Sequence, residues 1–223
     1  MDAGVLAYRL CNRGYACEHC PLDAALRDDP RVRIAGDEGD EGGATGLDFP
    51  ADRLYTRNHH WIQRIRDSRV RTGLDAFAAR ILGRVGEVRT PTPGATVTAG
   101  QPCVLVSVEG GLIRLASPVS GRVLAVNPRL GEHPELLGTQ AYSGGWLMEL
   151  ALPPGERGEG LLSPGSAVRQ ARADARRVCR RLGMHLLTVE GDPGPWLHAD
   201  STRSLRRSIG PEAWFSLAIE ALR

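Results

Sequence analysis

Three cysteines stand close together near the start of the chain, in YRLCNRGYACEHCPLDAAL. Cys11, Cys17 and Cys20 are spaced C-x5-C-x2-C, with His19 between the last two and Pro21 behind them. A C-x2-C pair lets two thiolates reach one ion across a tight turn, the spacing of zinc and of iron–sulfur sites. Cys11 can supply a third thiolate. The fourth ligand of a zinc site is then His19 or a distal histidine, His59 or His60 in the stretch NHHW. Adjacent residues such as His19 and Cys20 rarely bind one ion, which favours the distal pair. An iron–sulfur site would instead leave one iron open, and a plain redox dithiol is the third reading of the same thiols. The chain has five cysteines, three of them within ten residues. That suits a metal or redox site in a reducing cytoplasm better than a disulfide framework. Cys103 and Cys179 read as small buried apolar residues.

The second chemical feature is an absence. All 28 basic residues are arginine, and the sequence contains no lysine. No side chain can therefore carry an amide-linked cofactor or a Schiff base. Neither a Ser/His/Asp or Cys/His constellation nor a phosphate-cradling glycine loop stands out, so the chain reads as non-enzymatic. A net charge of +2 is too small to argue for nucleic acid or an anionic membrane surface. No run approaches the roughly 18 apolar residues of a membrane span, and the N-terminus MDAGVLAYRLCNRGYAC does not read as a secretory signal. The expectation is a cytoplasmic protein.

These groups must be positioned by four segments. Residues 1–33 hold the cysteines and a short helix candidate, Pro21–Arg27. Residues 34–51 contain AGDEGDEGGATGLDFP, an acidic glycine-rich linker. Residues 52–152 carry short β-like runs between turn residues: Val97, Cys103–Val108, Leu112–Leu115, Gly121–Val126 and Trp146–Leu150. One helix is expected there over Asp75–Leu82, capped by Asp75 and stopped at Gly83. Residues 153–223 turn helical. Ser163-Pro164 opens a helix with Val168, Ala171, Ala175, Val178 and Leu182 on one stripe and arginines on the other faces. Met184–Val189 is a strand candidate, and Pro211 starts a final helix dense in apolar residues. His59 and His60 read most simply as surface or edge-strand residues, and Tyr142 and Trp146 as packing for the closing strand.

The middle segment also carries a series of motifs in order: YTRNHHW at 55–61, GLDAFAARILG at 73–83, PTPGATVTAGQP at 91–102, SPVSGRVLAVNPRL at 117–130, and HPELL with YSGGWLMEL between 133 and 150. Together they resemble the H protein of the glycine cleavage system. The resemblance implies a mainly β lipoyl-domain fold, a flattened barrel of two small sheets (a barrel-sandwich hybrid), with α+β character added by the flanking segments. It also implies a lysine on an exposed hairpin. In that family the lysine carries lipoate and passes an aminomethyl group between the decarboxylase, the aminomethyltransferase and the dihydrolipoamide dehydrogenase.

The hairpin itself reads CVLVSVEGGLIRLA over 103–116. Counting back from Pro118, the lysine position falls on Gly110, with Glu109 as its neighbour, and the glutamate usual three residues earlier is Ser107. No lipoate is expected. Gly110-Gly111 serve either a positive-φ turn or the close approach of another backbone. The resulting expectation is an H-protein-like adaptor or regulator that cannot be lipoylated. It would act through its lipoyl-domain surface and a cysteine-rich metal site, with glycine-cleavage or lipoyl-handling enzymes as partners. The alternative is a redox or iron–sulfur electron-transfer protein built on the cysteines.

Overall fold

A computed structural model of the chain describes residues 47–66, 68–156, 158, 160–182 and 199–222. The cysteines 11, 17 and 20, the helix candidate Pro21–Arg27 and the strand candidate Met184–Val189 lie outside the described residues. Everything described belongs to one unit, Glu41–Arg223.

Among the described residues, nine strands form two antiparallel sheets. They are β1 (Leu54–Tyr55), β2 (His60–Arg66), β3 (Arg69–Leu74), β4 (Val85–Arg89), β5 (Thr96–Val97), β6 (Pro102–Val108), β7 (Gly111–Ala116), β8 (Gly121–Val126) and β9 (Met148–Ala151). The larger sheet runs β1-β2-β3-β9-β8-β5 and the smaller β4-β6-β7. Alternation sets the faces. Along β6, Val104, Val106 and Val108 are buried while Cys103, Leu105 and Ser107 are only half-covered. From β7, Ile113 and Leu115 point inward, and they meet Val70, Leu74, Val123 and Leu150 of the larger sheet in one core.

The sheets do not close into a barrel. Among the described residues, the two sheets meet at the β7–β8 corner through an isolated bridge, Ala99 to Ser117. Pro118 follows directly, and a residue without an N–H cannot carry a ladder around that corner. The flattened barrel expected from the sequence is thus observed as an open pair of sheets.

Helix α1 (Ala76–Leu82) plugs one end of the core. Asp75 caps it, accepting from the Ala78 N–H, and Gly83 ends it at φ 68. Short helices α2 (Arg129–Glu132) and α3 (Leu136–Thr139) connect β8 to β9. Tyr142 Oη lies between them and α1, donating to the Asp48 carbonyl and accepting from the Ala76 N–H. The closing strand begins at Met148, two residues later than the pattern placed it, and Trp146 just before it packs beneath the Arg71 guanidinium.

Three further helices follow: α4 (Pro164–Arg181), α5 (Ala199–Ile209) and α6 (Pro211–Ala221). Ser163 caps α4, with Pro164 in its first turn. These helices share the main core: Val168, Ala171, Ala175 and Val178 of α4 and Trp214, Ala218 and Ala221 of α6 are all buried in it. Among the described residues no helix is long and apolar enough to cross a membrane.

Candidate functional site

The β6–β7 hairpin turns through Glu109 and Gly110, with Val108 paired to Gly111. Gly110 sits at φ 101, a conformation that side-chain-bearing residues rarely adopt. The turn is solvent-exposed, yet one side of it abuts helix α6 (Pro211–Ala221). A Cβ added at Gly110 would lie 2.7 Å from the Pro211 carbonyl oxygen and 2.9 Å from Phe215 Cβ. A Cβ at Gly111 would enter the Phe215 ring. Helix α6 therefore rests on the bare backbone of the tip. Both readings of the glycine pair hold at once: a positive-φ turn and a close backbone approach.

Neighbouring contacts fasten α6 and α5 around this point. Trp214 Nε1 donates to the Ile81 carbonyl at 2.8 Å in a buried bond. That carbonyl lies in the last turn of α1, where backbone acceptors lack intrahelical partners. Arg206 of α5 packs its guanidinium against Gly83 and lies 3.8 Å from the Glu109 carboxylate.

A second cluster lies at the other end of α1. His59 is 1 % exposed and holds φ 59, the one non-glycine residue with positive φ among those described. Its Nδ1 bonds Asp75 at 2.9 Å and its Nε2 bonds Asp174 at 3.2 Å. Carboxylates only accept, so both nitrogens donate and the ring is an imidazolium. Burial works against that charge, but the carboxylates of Asp75 and Asp174 more than reverse it and raise the His59 pKa to about 9. Asp174 also takes Gln170 Nε2 at 2.6 Å and lies 3.1 Å from Arg177. With both nitrogens donating, His59 has no lone pair to give a metal.

His60 faces a different environment. Its Nδ1 lies 3.0 Å from the Asn58 carbonyl and so carries the proton, and its buried Nε2 has no hydrogen-bond partner among the described residues. Burial lowers its pKa to about 4, which keeps the ring neutral. It borders an open cleft of about 270 Å3 that Thr56, Arg57, Asn58, Gly100 and Ser117 also line. This tautomer leaves a lone pair on Nε2, the form that ligates metals. Among the described residues, however, no group of three or more His, Cys, Asp or Glu side chains is arranged to hold a metal ion.

The sequence reading placed His59 and His60 at a surface or edge. The structure buries both, at 1 % and 3 % exposure. The cause is the αL kink at His59, which turns NHHW inward beneath α1 and α4. Sequence reasoning passed over Asp174. It falls on the apolar stripe of α4, three residues after Ala171 and four before Val178. An acid on a buried stripe is the signal that identifies it. Of the two remaining cysteines, Cys179 is buried as expected and Cys103 is only half-covered.

The glycine cleavage H-protein family pattern matches residues 53–173. The glycine cleavage system H protein of Thermobifida fusca is 38% identical over 120 residues, covering 53% of this chain and 91% of that protein. That of Mycolicibacterium vanbaalenii is 40% identical over 103 residues, covering 46% of this chain and 79% of that protein. The crystal structure of a glycine cleavage system H protein from Mycobacterium marinum, 33% identical, covers 55% of this chain and 95% of that one with a TM-score of 0.47. The family match stops one residue short of Asp174.

Proposed function

The chain belongs to the glycine cleavage H-protein family, and we propose that within it this chain is a non-enzymatic adaptor that bears no lipoyl group. It presents a lipoyl-domain surface to glycine-cleavage or lipoyl-handling enzymes without delivering an aminomethyl group. The observation that carries this reading is the hairpin tip. The arm needs a primary amine there, and the chain offers Glu109 and Gly110 and has no lysine anywhere. The backbone at Gly110 is moreover in contact with the Pro211 carbonyl and Phe215, which leaves no room for a side chain. The rest of the domain is well packed, with Trp61, Phe77 and Leu150 fully buried and α1 capped by Asp75. A scaffold preserved around a lost attachment point favours recognition over carriage.

The test has two parts. Purified full-length chain is incubated with a lipoate ligase, ATP and lipoate beside a lysine-bearing H protein, and intact masses are compared. The expected result is a lipoyl increment on the lysine-bearing protein alone. Binding is then measured to the decarboxylase, the aminomethyltransferase, the dihydrolipoamide dehydrogenase and the ligase. Binding to at least one, above an unrelated protein of similar charge, supports the adaptor. Binding to none refutes it.

A further inference from the structure

The cleft beside His60 brings together three features that the adaptor reading leaves unused. The first is an acceptor without a donor. His60 is 3 % exposed, and its Nε2 has no hydrogen-bond partner among the described residues. The Asn58 carbonyl, 3.0 Å from Nδ1, holds the ring's one proton on that side and so keeps a lone pair on Nε2. Burial keeps the ring neutral at ordinary pH, so the lone pair persists. Buried acceptors in native proteins are nearly always satisfied, and one that the protein's own groups leave unmatched points to a donor from outside. The second feature is room. The cleft holds about 270 Å3, just below the roughly 300–1,000 Å3 of pockets for drug-sized ligands, which suits a molecule of a few carbons. The third is the chemistry of the walls. Arg57 is exposed at the cleft, and Ala99, Ala116 and Pro118 add short apolar surface. The neighbouring hydroxyls are engaged: Ser117 donates to the Val119 carbonyl, and Thr56 accepts from the His60 N–H.

We propose that this cleft binds a small hydroxycarboxylate, its carboxylate on the Arg57 guanidinium and its hydroxyl donating to His60 Nε2. Guanidinium is the side chain best matched to a carboxylate, which it can meet with two parallel hydrogen bonds. Nε2 is recessed in the wall, so the slender hydroxyl end enters first and the carboxylate stays at the mouth. An ammonium in place of the hydroxyl fits poorly: Arg57 repels it, and none of the described residues lining the cleft is acidic. A plain carboxylate fits only by half, because it leaves Nε2 unmatched. The site stands whether or not the domain binds glycine-cleavage enzymes.

Two pairs of acids that differ by one hydroxyl test it: lactate against propionate, and 3-hydroxybutyrate against butyrate. Each is titrated into the full-length chain, and the His60 ring nitrogens and the backbone amides are followed by NMR. At least one hydroxy acid is expected to bind about tenfold tighter than its partner, the value of one hydrogen bond to a buried acceptor, and to shift the Nε2 resonance as a donor does. His60→Phe keeps a buried ring of similar size without the lone pair, and should bind both members of the pair equally. Arg57→Gln lies at an exposed position and leaves the core untouched; it should weaken both members alike and keep the preference for the hydroxyl. Equal binding of both members by the wild type overturns the site. So does a shift of the amides with Nε2 unmoved, a preference that survives in His60→Phe, or no saturable shift with any of the four acids at tens of millimolar.

Discussion

Replacing His59 by asparagine tests the buried charge cluster most directly. Asparagine tolerates the αL backbone that His59 holds at φ 59, so the variant removes the imidazolium without adding strain. The His59 pKa stands at about 9 against an ordinary 6.5. A raised pKa contributes stability that is complete below 6.5 and is lost as pH climbs through about 9. The shift corresponds to about 3 kcal/mol between the two limits. The groups facing the ring are Asp75 at the head of α1 and Asp174 of α4, with Arg177 beside the latter, His60 adjacent in sequence, and the Phe77 ring stacked at 4.4 Å. Urea unfolding followed by tryptophan fluorescence at pH 6 and pH 10 gives the measurement. With no lysine in the chain, no ammonium side chain titrates in that window, and burial pushes the Tyr55 and Tyr142 phenols up and away from it. Thiol contributions cancel in the difference between wild type and variant. Wild type should lose about 3 kcal/mol more than His59→Asn on going from pH 6 to pH 10. Parallel pH profiles for the two proteins would refute the doubly paired imidazolium, and a wild type gaining stability with pH would reverse its sign.

The remaining predictions are briefer. Gly110→Lys restores an amine at the tip, yet the φ of 101 and the Pro211 carbonyl 2.7 Å from its Cβ oppose it. It should cost about 2–3 kcal/mol in urea unfolding and gain no lipoyl mass with a lipoate ligase; ready modification at wild-type stability would contradict the packed tip. Trp214→Phe keeps most of the buried ring but abandons the Ile81 carbonyl, which should cost about 1–3 kcal/mol by the same measurement. The C-x5-C-x2-C spacing predicts one bound metal per chain on protein purified without oxygen or a histidine tag. Zinc without colour would make the cysteines a structural clip, and iron with acid-labile sulfide would make them a redox centre. Cys17→Ser and Cys20→Ser should each release the metal, and a metal-free wild type would count against the site.

The β-elements were legible because alternation and turn chemistry act over a few residues. Val104, Val106 and Val108 alternate with half-covered neighbours as their pattern demands, and Asp75 and Gly83 bracket α1 as cap residues do. Helix α5 was not legible. Its sequence ADSTRSLRRSI carries little apolar content, and its order comes from tertiary packing, with Arg206 against Gly83 and Leu205 and Ile209 against the core. Barrel closure was likewise a long-range property. It depended on whether ladders continued past Ser117-Pro118, which no local pattern states.

The site divides along the same line. That the hairpin tip lacks an amine is a property of composition and needs no coordinates. What abuts the tip is a property of contact between Gly110 and Phe215, more than a hundred positions apart. The histidines show how far a local reading can miss. NHHW puts three polar residues in a row, which reads as a surface or edge, but one αL residue reverses the chain and buries two imidazoles with opposite fates. His59 meets two carboxylates and stays charged, while His60 meets one backbone carbonyl and stays neutral. Burial raises the energy of a charged ring at both positions, so the difference lies wholly in what each ring faces. Asp174, the second carboxylate, comes from outside the family-matched segment. The charge state of His59, inside the family-matched segment, therefore depends on a carboxylate one residue past its end, on helix α4, which begins within that segment.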